Sequence, residues 1–193
     1  MSQLDRDKWN HRYANDSQRK SNPVSLLEAW LPKVKVGRAL DVACGSGRNS
    51  LFIAEAGFEV DGIDISAEGL KIAKARSDQK NLAINWIESD LDQAYPFDDC
   101  YDLIVVLWYV NLPLIVQLAH QLTLGGYLIC EEHLQSDGQL IGPTNDAFRV
   151  APNALKVAAG HLEILHYDES IRPTEEKQYL ASAQLVARKP DNR

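Results

Sequence analysis

Short apolar runs alternate along the chain with segments of helical periodicity, and this alternation constrains the fold more than any other feature. The apolar runs predict strands at residues 38–42, 58–63, 83–87, 103–107 and 127–130, separated by helices such as 48–56 and 114–122. Strands joined through helices pair in parallel, because the crossover returns the chain to the same edge of the sheet. The sequence therefore predicts an α/β fold.

The C-terminal part departs from this alternation. Residues 162–167 and 179–188 have the pattern of strands, but the segment between them leaves no room for a crossover helix. Two such strands are expected to pair antiparallel. The predicted architecture is a Rossmann-like three-layer sandwich, with a mostly parallel seven-stranded sheet that ends in an antiparallel hairpin.

Length and charge limit the classes of protein to consider. With 193 residues, of which 45% are hydrophobic, the chain can bury one substantial core but is short for two ordinary domains. We therefore expect a single domain over residues 1–193. A net charge of -7 argues against nucleic acid or an anionic membrane as partner. The oligomeric state stays open, and a monomer is compatible with the sequence.

The N-terminal sequence and the cysteines bear on compartment and metal content. The first residues, MSQLDRD, have no basic segment followed by an apolar stretch, so we expect no secretory signal and a cytoplasmic location. Neither the three cysteines nor the five histidines have the spacing of a zinc site. We expect no metal.

A glycine-containing turn follows the first predicted strand. In an open parallel sheet, ligands lie beyond the carboxyl ends of the strands, and Gly45 and Gly47 have no side chain to block their approach. Asp41 can accept hydrogen bonds from an ammonium group. Asp64 follows Asp41 by 23 residues, close to the ~20 expected between a nucleotide-binding turn and its ribose carboxylate. The pattern predicts a nucleotide-like ligand.

Two ligand classes compete for this turn. A dinucleotide-binding oxidoreductase has G-x-G-x-x-G here, but the third glycine position is Ser50. Asp41 would also repel a pyrophosphate, whereas it suits the amino group of a methionine moiety. These observations favour S-adenosylmethionine over NAD(P). An NAD(P)-dependent oxidoreductase and a non-catalytic S-adenosylmethionine-binding module are kept as alternatives.

The segment 40–50, LDVACGSGRNS, resembles the first motif of the class I methyltransferases, and more narrowly of the tellurite-resistance and thiopurine-methyltransferase-like group. The resemblance implies that Asp41 holds the methionine amino group and that the glycines admit the cofactor. Ala43 stands where the family's fuller G-x-G-x-G has its first glycine. The cofactor-contacting positions implied within the motif are Asp41, Ala43, Cys44, Gly45, Gly47 and Arg48. Arg48 would steady the cofactor's carboxylate or make only a surface ion pair.

Further segments extend the resemblance over nearly the whole chain. The segment 60–66, VDGIDIS, is similar to the second motif, which implies Asp64 on the ribose and Ile65 against the adenine. The segment 89–91 resembles the part that reads the adenine edge. The family pattern implies five more cofactor-contacting positions, two of them in the W-x-x-R-[WY] opening near the N-terminus: Asp90, Leu91, Leu107, Trp9 and Tyr13. Alternatively, Trp9 and Tyr13 only pin a helix to the core.

The acceptor is predicted less directly. The segment 107–110, LWYV, lacks the Asn-Pro-Pro-Tyr type of signature found in enzymes that methylate nitrogens on DNA and protein. A small-molecule acceptor is therefore expected, and its nucleophilic atom is O, N, S or another chalcogen. Residues 1–35 are interpreted as a helical cover and the long polar loop 133–153 as a substrate lid. A hydroxyl acceptor would need a base, for which Glu131, Glu132 and His133 are candidates. Arg149 would pair with an acceptor carboxylate or lie exposed.

Overall fold

Seven strands form one sheet in the order β3-β2-β1-β4-β5-β7-β6. The computed structural model describes residues 3–15, 22–92, 100–137, 140–174 and 178–191. The strands are β1 Arg38–Val42, β2 Glu59–Asp64, β3 Ile84–Glu88, β4 Tyr101–Leu107, β5 Leu122–His133, β6 Glu163–Pro173 and β7 Tyr179–Arg188. The first five pair in parallel, whereas β7 is antiparallel to both β5 and β6. The predicted fold class is confirmed.

Helices lie between the parallel strands and at the N-terminus. They are α1 Gln3–Asn15, α2 Ser25–Trp30, α3 Arg48–Glu55, α4 Ala67–Gln79, α5 Leu112–His120 and α6 Ala154–Ala158, with 3₁₀ turns at Leu31–Lys33 and Asp146–Phe148. Ser66 caps α4, because its hydroxyl accepts a hydrogen bond from the amide of Gly69. Within the described residues, no helix is long and apolar enough to cross a bilayer.

The sheet is covered on both faces, as the uninterrupted apolar sequence of β4 predicts. Alternate residues of β4 face opposite sides, with Leu103 and Val105 on one and Ile104 and Val106 on the other. The first face packs against α2 and α3, through buried side chains that include Leu26, Leu27, Ile53 and Ala54. The second face packs against α5 and α6, through Ile115, Leu118, Leu155 and Ala158.

Several element boundaries differ from the predictions. β5 begins at Leu122 rather than residue 127, and α5 ends at His120 rather than residue 122. Gly125 and Gly126 lie inside β5, because Leu122 pairs with Tyr101 across a bulge at the start of β4. The short helix α6 was not predicted, since five residues show no clear periodicity.

Candidate functional site

The site lies between the neighbouring strands β1 and β4. The connection after β1 leads to strands on one side of this pair, and the connection after β4 leads to strands on the other side. β2 and β3 extend from one side of β1, and β4 and β5 extend from the other. In sheets of this kind a crevice opens beyond the carboxyl ends of the two strands at the switch point. The glycine turn after Val42 begins there.

Three residues of the turn have left-handed backbone conformations. The φ angles are +55° at Ala43, +57° at Gly45 and +79° at Gly47, the residue that precedes α3. Such angles are accessible to glycine, but for alanine they cost about 1–2 kcal/mol. The amide of Cys44 donates to the carbonyl of Ile63 at 3.0 Å, so the turn is fastened to β2.

Side chains of the protein occupy the space that each glycine leaves. A Cβ on Gly45 would lie 2.1 Å from the hydroxyl oxygen of Tyr13, and one on Gly47 would lie 2.7 Å from the ring of Trp86 and 2.8 Å from Cβ of Ala73. Gly47 is therefore required for packing as well as for the turn, whereas at Gly45 the end of the flexible Tyr13 side chain can shift. Sequence reasoning missed Trp86, an aromatic residue in an otherwise ordinary strand.

Asp41 lies buried at the end of β1. Its Oδ2 accepts a hydrogen bond of 2.5 Å from the hydroxyl of Ser50, on the first turn of α3. Burial raises the pKa of Asp41 from 3.8 to about 7, although the Ser50 hydrogen bond and the charge of Arg48 oppose the shift. A cation placed beside this carboxylate would favour its ionised form.

Asp64, at the end of β2, accepts backbone hydrogen bonds from both sides of the crevice. The amide of Gly45 donates to Oδ2 and the amide of Ser66 to Oδ1, each at 2.8 Å. Burial raises the pKa of Asp64, and these amides partly oppose that shift. A carboxylate offers about four acceptor positions, so two remain for a pair of hydroxyl groups. The next residue, Ile65, is buried.

Arg48 is half-buried between carboxylates. Burial lowers the pKa of its guanidinium, while the charges of Asp41 and Glu131 oppose that shift. Within the described part of the chain, Arg48 makes no salt bridge shorter than 4.0 Å. A guanidinium in this setting is available to an anionic group of a ligand.

The segment after β3 lies near the turn that follows β4. Asp90 is partly exposed and accepts a hydrogen bond from the amide of Asp92, whereas Leu91 is buried. Asp92 in turn accepts from the hydroxyl of Tyr109 at 2.8 Å and from the side-chain amide of Asn111 at 3.0 Å. Sequence reasoning missed Asp92, because its partners are distant in sequence. Leu107 is buried at the end of β4.

Helix α1 lies against the glycine turn and the start of α4. None of its side chains is buried, which disfavours a role that only pins a helix to the core. Asn10 accepts hydrogen bonds from the hydroxyl of Ser66 at 2.7 Å and from the amide of Glu68 at 3.3 Å. Tyr13 reaches Gly45, and its ring stacks on that of Trp9 with centroids 6.0 Å apart. The helix therefore lies over the glycine turn.

The three candidate bases at the end of β5 lie in different surroundings. Glu131 accepts a hydrogen bond of 2.8 Å from Gln184 and faces the same side as Arg48. Glu132 points to the other side of the sheet and is fully buried, so it is unsuited to contact an acceptor. The ring of His133 packs 4.6 Å from that of Trp108, and burial lowers the pKa of His133 to about 4, with a contribution from the charge of Arg149.

Arg149 does not lie exposed, so that one of its two expectations is wrong. This side chain is only 9% exposed, and its guanidinium donates to the backbone carbonyls of Leu134, Ile141 and Pro143 at 2.8 to 3.3 Å. It turns inward because the loop carbonyls converge on it, an arrangement that local sequence does not encode. Arg149 therefore holds the loop that was interpreted as a lid.

Comparison with known proteins agrees with this geometry. Residues 39–123 match a family model described as a methyltransferase domain. Over 141 residues the chain is 28% identical to TehB of Haemophilus influenzae, a probable S-adenosyl-L-methionine-dependent methyltransferase, covering 69% of this chain and 49% of TehB. It is also 30% identical over 118 residues to malonyl-[acyl-carrier protein] O-methyltransferase of Pectobacterium atrosepticum, covering 59% of this chain and 45% of that protein.

The fold is shared with solved methyltransferase structures. The crystal structure of TehB from Haemophilus influenzae aligns with a TM-score of 0.75 and 23% identity, over 95% of this chain and 66% of that chain. The N-methyltransferase NodS from Bradyrhizobium japonicum, in complex with S-adenosyl-L-homocysteine, aligns with a TM-score of 0.73 and 18% identity, over 96% and 98% of the two chains.

Residues 39–123 therefore match a methyltransferase domain, and the chain has the fold of the solved methyltransferase structures described above. The predicted resemblance to the tellurite-resistance group is confirmed, and the cofactor predicted from the sequence is the one named for TehB. The chain spans less than half the length of the two curated relatives described above. What the methyltransferase domain acts on is therefore a separate question.

Proposed function

We propose that this domain transfers a methyl group from S-adenosylmethionine to a nucleophilic oxygen, nitrogen, sulfur or chalcogen atom of a small-molecule acceptor. The observation that supports this most is the placement of two buried carboxylates, Asp41 and Asp64, on either side of the glycine turn at the switch point of the sheet. Few ligands carry both an ammonium group and a pair of hydroxyl groups at the separation of these two carboxylates.

The residues of the crevice fit the chemical groups of the cofactor. In our proposal Asp41 accepts from the amino group, Arg48 pairs with the carboxylate, and Asp64 accepts from the two ribose hydroxyls. The adenine lies against Ile65 and Leu91, with Asp90 accepting from its exocyclic amine. The remaining contacts are made by the backbone of Ala43, Cys44, Gly45, Gly47 and Leu107, and Trp9 and Tyr13 cover the bound cofactor from α1.

When bound, S-adenosylmethionine supplies a methyl group on a sulfonium, which is electrophilic without further activation. The methyl group would pass to the acceptor's lone pair, sulfur would keep the electron pair of the broken carbon–sulfur bond, and Glu131 would take any proton that a hydroxyl acceptor loses. The contribution of this chain is then to align the acceptor and to exclude water. The sheet and α1 hold the side chains that align the acceptor and exclude water.

We place the acceptor beyond the carboxyl ends of β4 and β5. The side chains available there are Trp108, His133 and Glu131, and Arg149 fastens the neighbouring loop. Glu131 is the candidate base for a hydroxyl acceptor, because Glu132 faces the apolar side of the sheet. The net charge of -7 supports a small molecule rather than nucleic acid.

A transfer assay tests the proposal. The purified chain is incubated with methyl-labelled S-adenosylmethionine and one acceptor from each class: a thiol, a phenol, an amine and a chalcogen oxyanion. We expect label in at least one product and its loss in Asp41→Ala. Binding of the cofactor without transfer to any class would favour the non-catalytic binding module.

A further inference from the structure

The strand β4 ends in a strained turn. Trp108, the first residue after the strand, has a φ of +66°, in the left-handed region that bulky side chains rarely adopt. Its amide donates to the carbonyl of Glu131 at 2.8 Å, and its ring packs against that of His133. Strain of this kind persists only where the surroundings enforce it, and it concentrates at functional sites. The contacts that enforce it here are therefore informative.

One enforcing contact comes from a buried acid. The side chain of Glu132 is fully buried, and its Oε1 accepts a hydrogen bond of 3.0 Å from the amide of Tyr109, the residue after Trp108. Its other oxygen, Oε2, has no hydrogen-bond partner among the described residues. Burial raises the pKa of Glu132 well above its usual range. An apolar residue would be less costly to bury at this position.

The turn also connects to the adenine side of the crevice. The hydroxyl of Tyr109 donates to Asp92 at 2.8 Å, and Asp92 follows Asp90 by two residues and Leu91 by one. A continuous path of hydrogen bonds thus runs from β5, through the turn after β4, to the segment after β3. Fixing the backbone of Tyr109 fixes both the Trp108 ring and the Asp92 contact.

We propose that Glu132 is a positioning residue whose buried carboxyl group holds the amide of Tyr109 and so fixes the turn between the cofactor and the acceptor. The location of the turn between these two ligands rests on the proposed function. The hydrogen bond between Glu132 and the amide of Tyr109 does not depend on the proposed function. Glu132 acts through Tyr109 and touches neither ligand.

Positioning and plain structural support predict different outcomes. If Glu132 only supports the fold, its replacement lowers stability and binding together. If it positions the turn, replacement by leucine removes a costly buried acid and leaves stability nearly unchanged, but it releases the Tyr109 amide. Glutamine keeps a carbonyl oxygen in the same place and rescues the contact. These opposed expectations make the inference testable.

The experiment compares Glu132→Leu, Glu132→Gln and a matched control, Cys130→Ala, which alters a buried residue on the same face of β5. Hydrogen exchange of the Tyr109 amide is followed by NMR, S-adenosylhomocysteine binding by calorimetry and unfolding by urea. We expect fast exchange and about tenfold weaker binding in the leucine variant alone, which corresponds to the loss of one hydrogen bond to a polar partner. Glutamine and the control should stay within about twofold of wild type.

Unchanged Tyr109 exchange in Glu132→Leu would overturn the inference, and so would a loss of binding that parallels a loss of stability. Should the leucine variant fail to fold, Glu132→Asp replaces it, because the shorter acid does not reach the amide; protection of Tyr109 in that variant would equally overturn the inference. If wild-type protein does not bind S-adenosylhomocysteine, the proposed function fails. The exchange measurement then decides the role of Glu132 by itself.

Discussion

The hydroxyl of Ser50, on the first turn of α3, donates a hydrogen bond of 2.5 Å to Oδ2 of Asp41, on β1. In the sequence, Ser50 stands where a dinucleotide-binding turn has its third glycine, and this argues only against a dinucleotide as the ligand. The structure gives it a positive role, since it fixes the orientation of the carboxylate that faces the crevice. An oriented, desolvated carboxylate binds an ammonium group more strongly than a solvated one.

Ligand affinity should depend on pH through Asp41. Its pKa is raised to about 7, so the group is largely protonated at pH 5.5 and half ionised at pH 7. The amino group of S-adenosylhomocysteine stays charged over this range, and we expect affinity to rise about tenfold from pH 5.5 to 7.0. In Asp41→Asn, affinity should be low and flat with pH. A pH-independent wild-type affinity would exclude Asp41 as the partner.

The raised pKa of Asp41 also makes the stability of the protein depend on pH. Because the pKa of Asp41 in the folded protein exceeds its ordinary value of 3.8, the folded state holds a proton that the unfolded chain releases between those values. The contribution of Asp41 to the free energy of unfolding is therefore full below about pH 4 and is lost as pH rises toward 7. Asp41→Asn should remove this part of the pH dependence in urea unfolding.

Asp64→Ala should weaken S-adenosylhomocysteine binding by roughly 1 to 3 kcal/mol, through loss of hydrogen bonds to the ribose hydroxyls. The substitution also frees the amides of Gly45 and Ser66, so its effect on unfolding must be measured alongside. Glu59→Ala, an exposed change on the same strand, is the matched control. Unaltered calorimetric affinity in Asp64→Ala would assign Asp64 to the turn alone.

Ala43→Gly should stabilise the protein. The left-handed φ of +55° costs alanine about 1–2 kcal/mol. Glycine avoids this cost, but folding it costs about 0.5–1 kcal/mol more than folding alanine, because glycine loses more backbone entropy. The difference predicts a gain of about 0.5–1 kcal/mol in the free energy of unfolding. Ala54→Gly, inside α3, should instead destabilise by about 1 kcal/mol. Equal losses in both variants would refute strain at Ala43.

Arg149→Ala should lower the free energy of unfolding by about 1.5–3 kcal/mol, since three backbone carbonyls lose a charged donor. Limited proteolysis should then cleave the loop around residue 141 faster, while S-adenosylhomocysteine affinity stays the same. Lys156→Ala, on the exposed side of α6, serves as control. A wild-type cleavage rate in Arg149→Ala would contradict the loop-holding role.

Local sequence patterns were sufficient for most of the fold and for placing Asp41 and Asp64 at the ends of neighbouring strands beside the glycine turn. Strand and helix periodicity are local, and the carboxyl ends of parallel strands meet by geometry, so Asp41 and Asp64 could be placed together. The inward turn of Arg149, the packing of Trp86 on Gly47 and the contact of Glu132 with Tyr109 depend on residues distant in sequence. No periodicity signals such contacts. The start of β5 was misplaced for the same reason, since its pairing with Tyr101 decides it.

Calorimetry of the wild-type chain with S-adenosylhomocysteine tests the central claim most directly. We predict one molecule bound per chain, with a rise in Tm that grows with ligand concentration, as expected for a ligand that binds only the folded state. No binding of S-adenosylhomocysteine, together with a rise in Tm caused by NAD or NADP, would contradict the account.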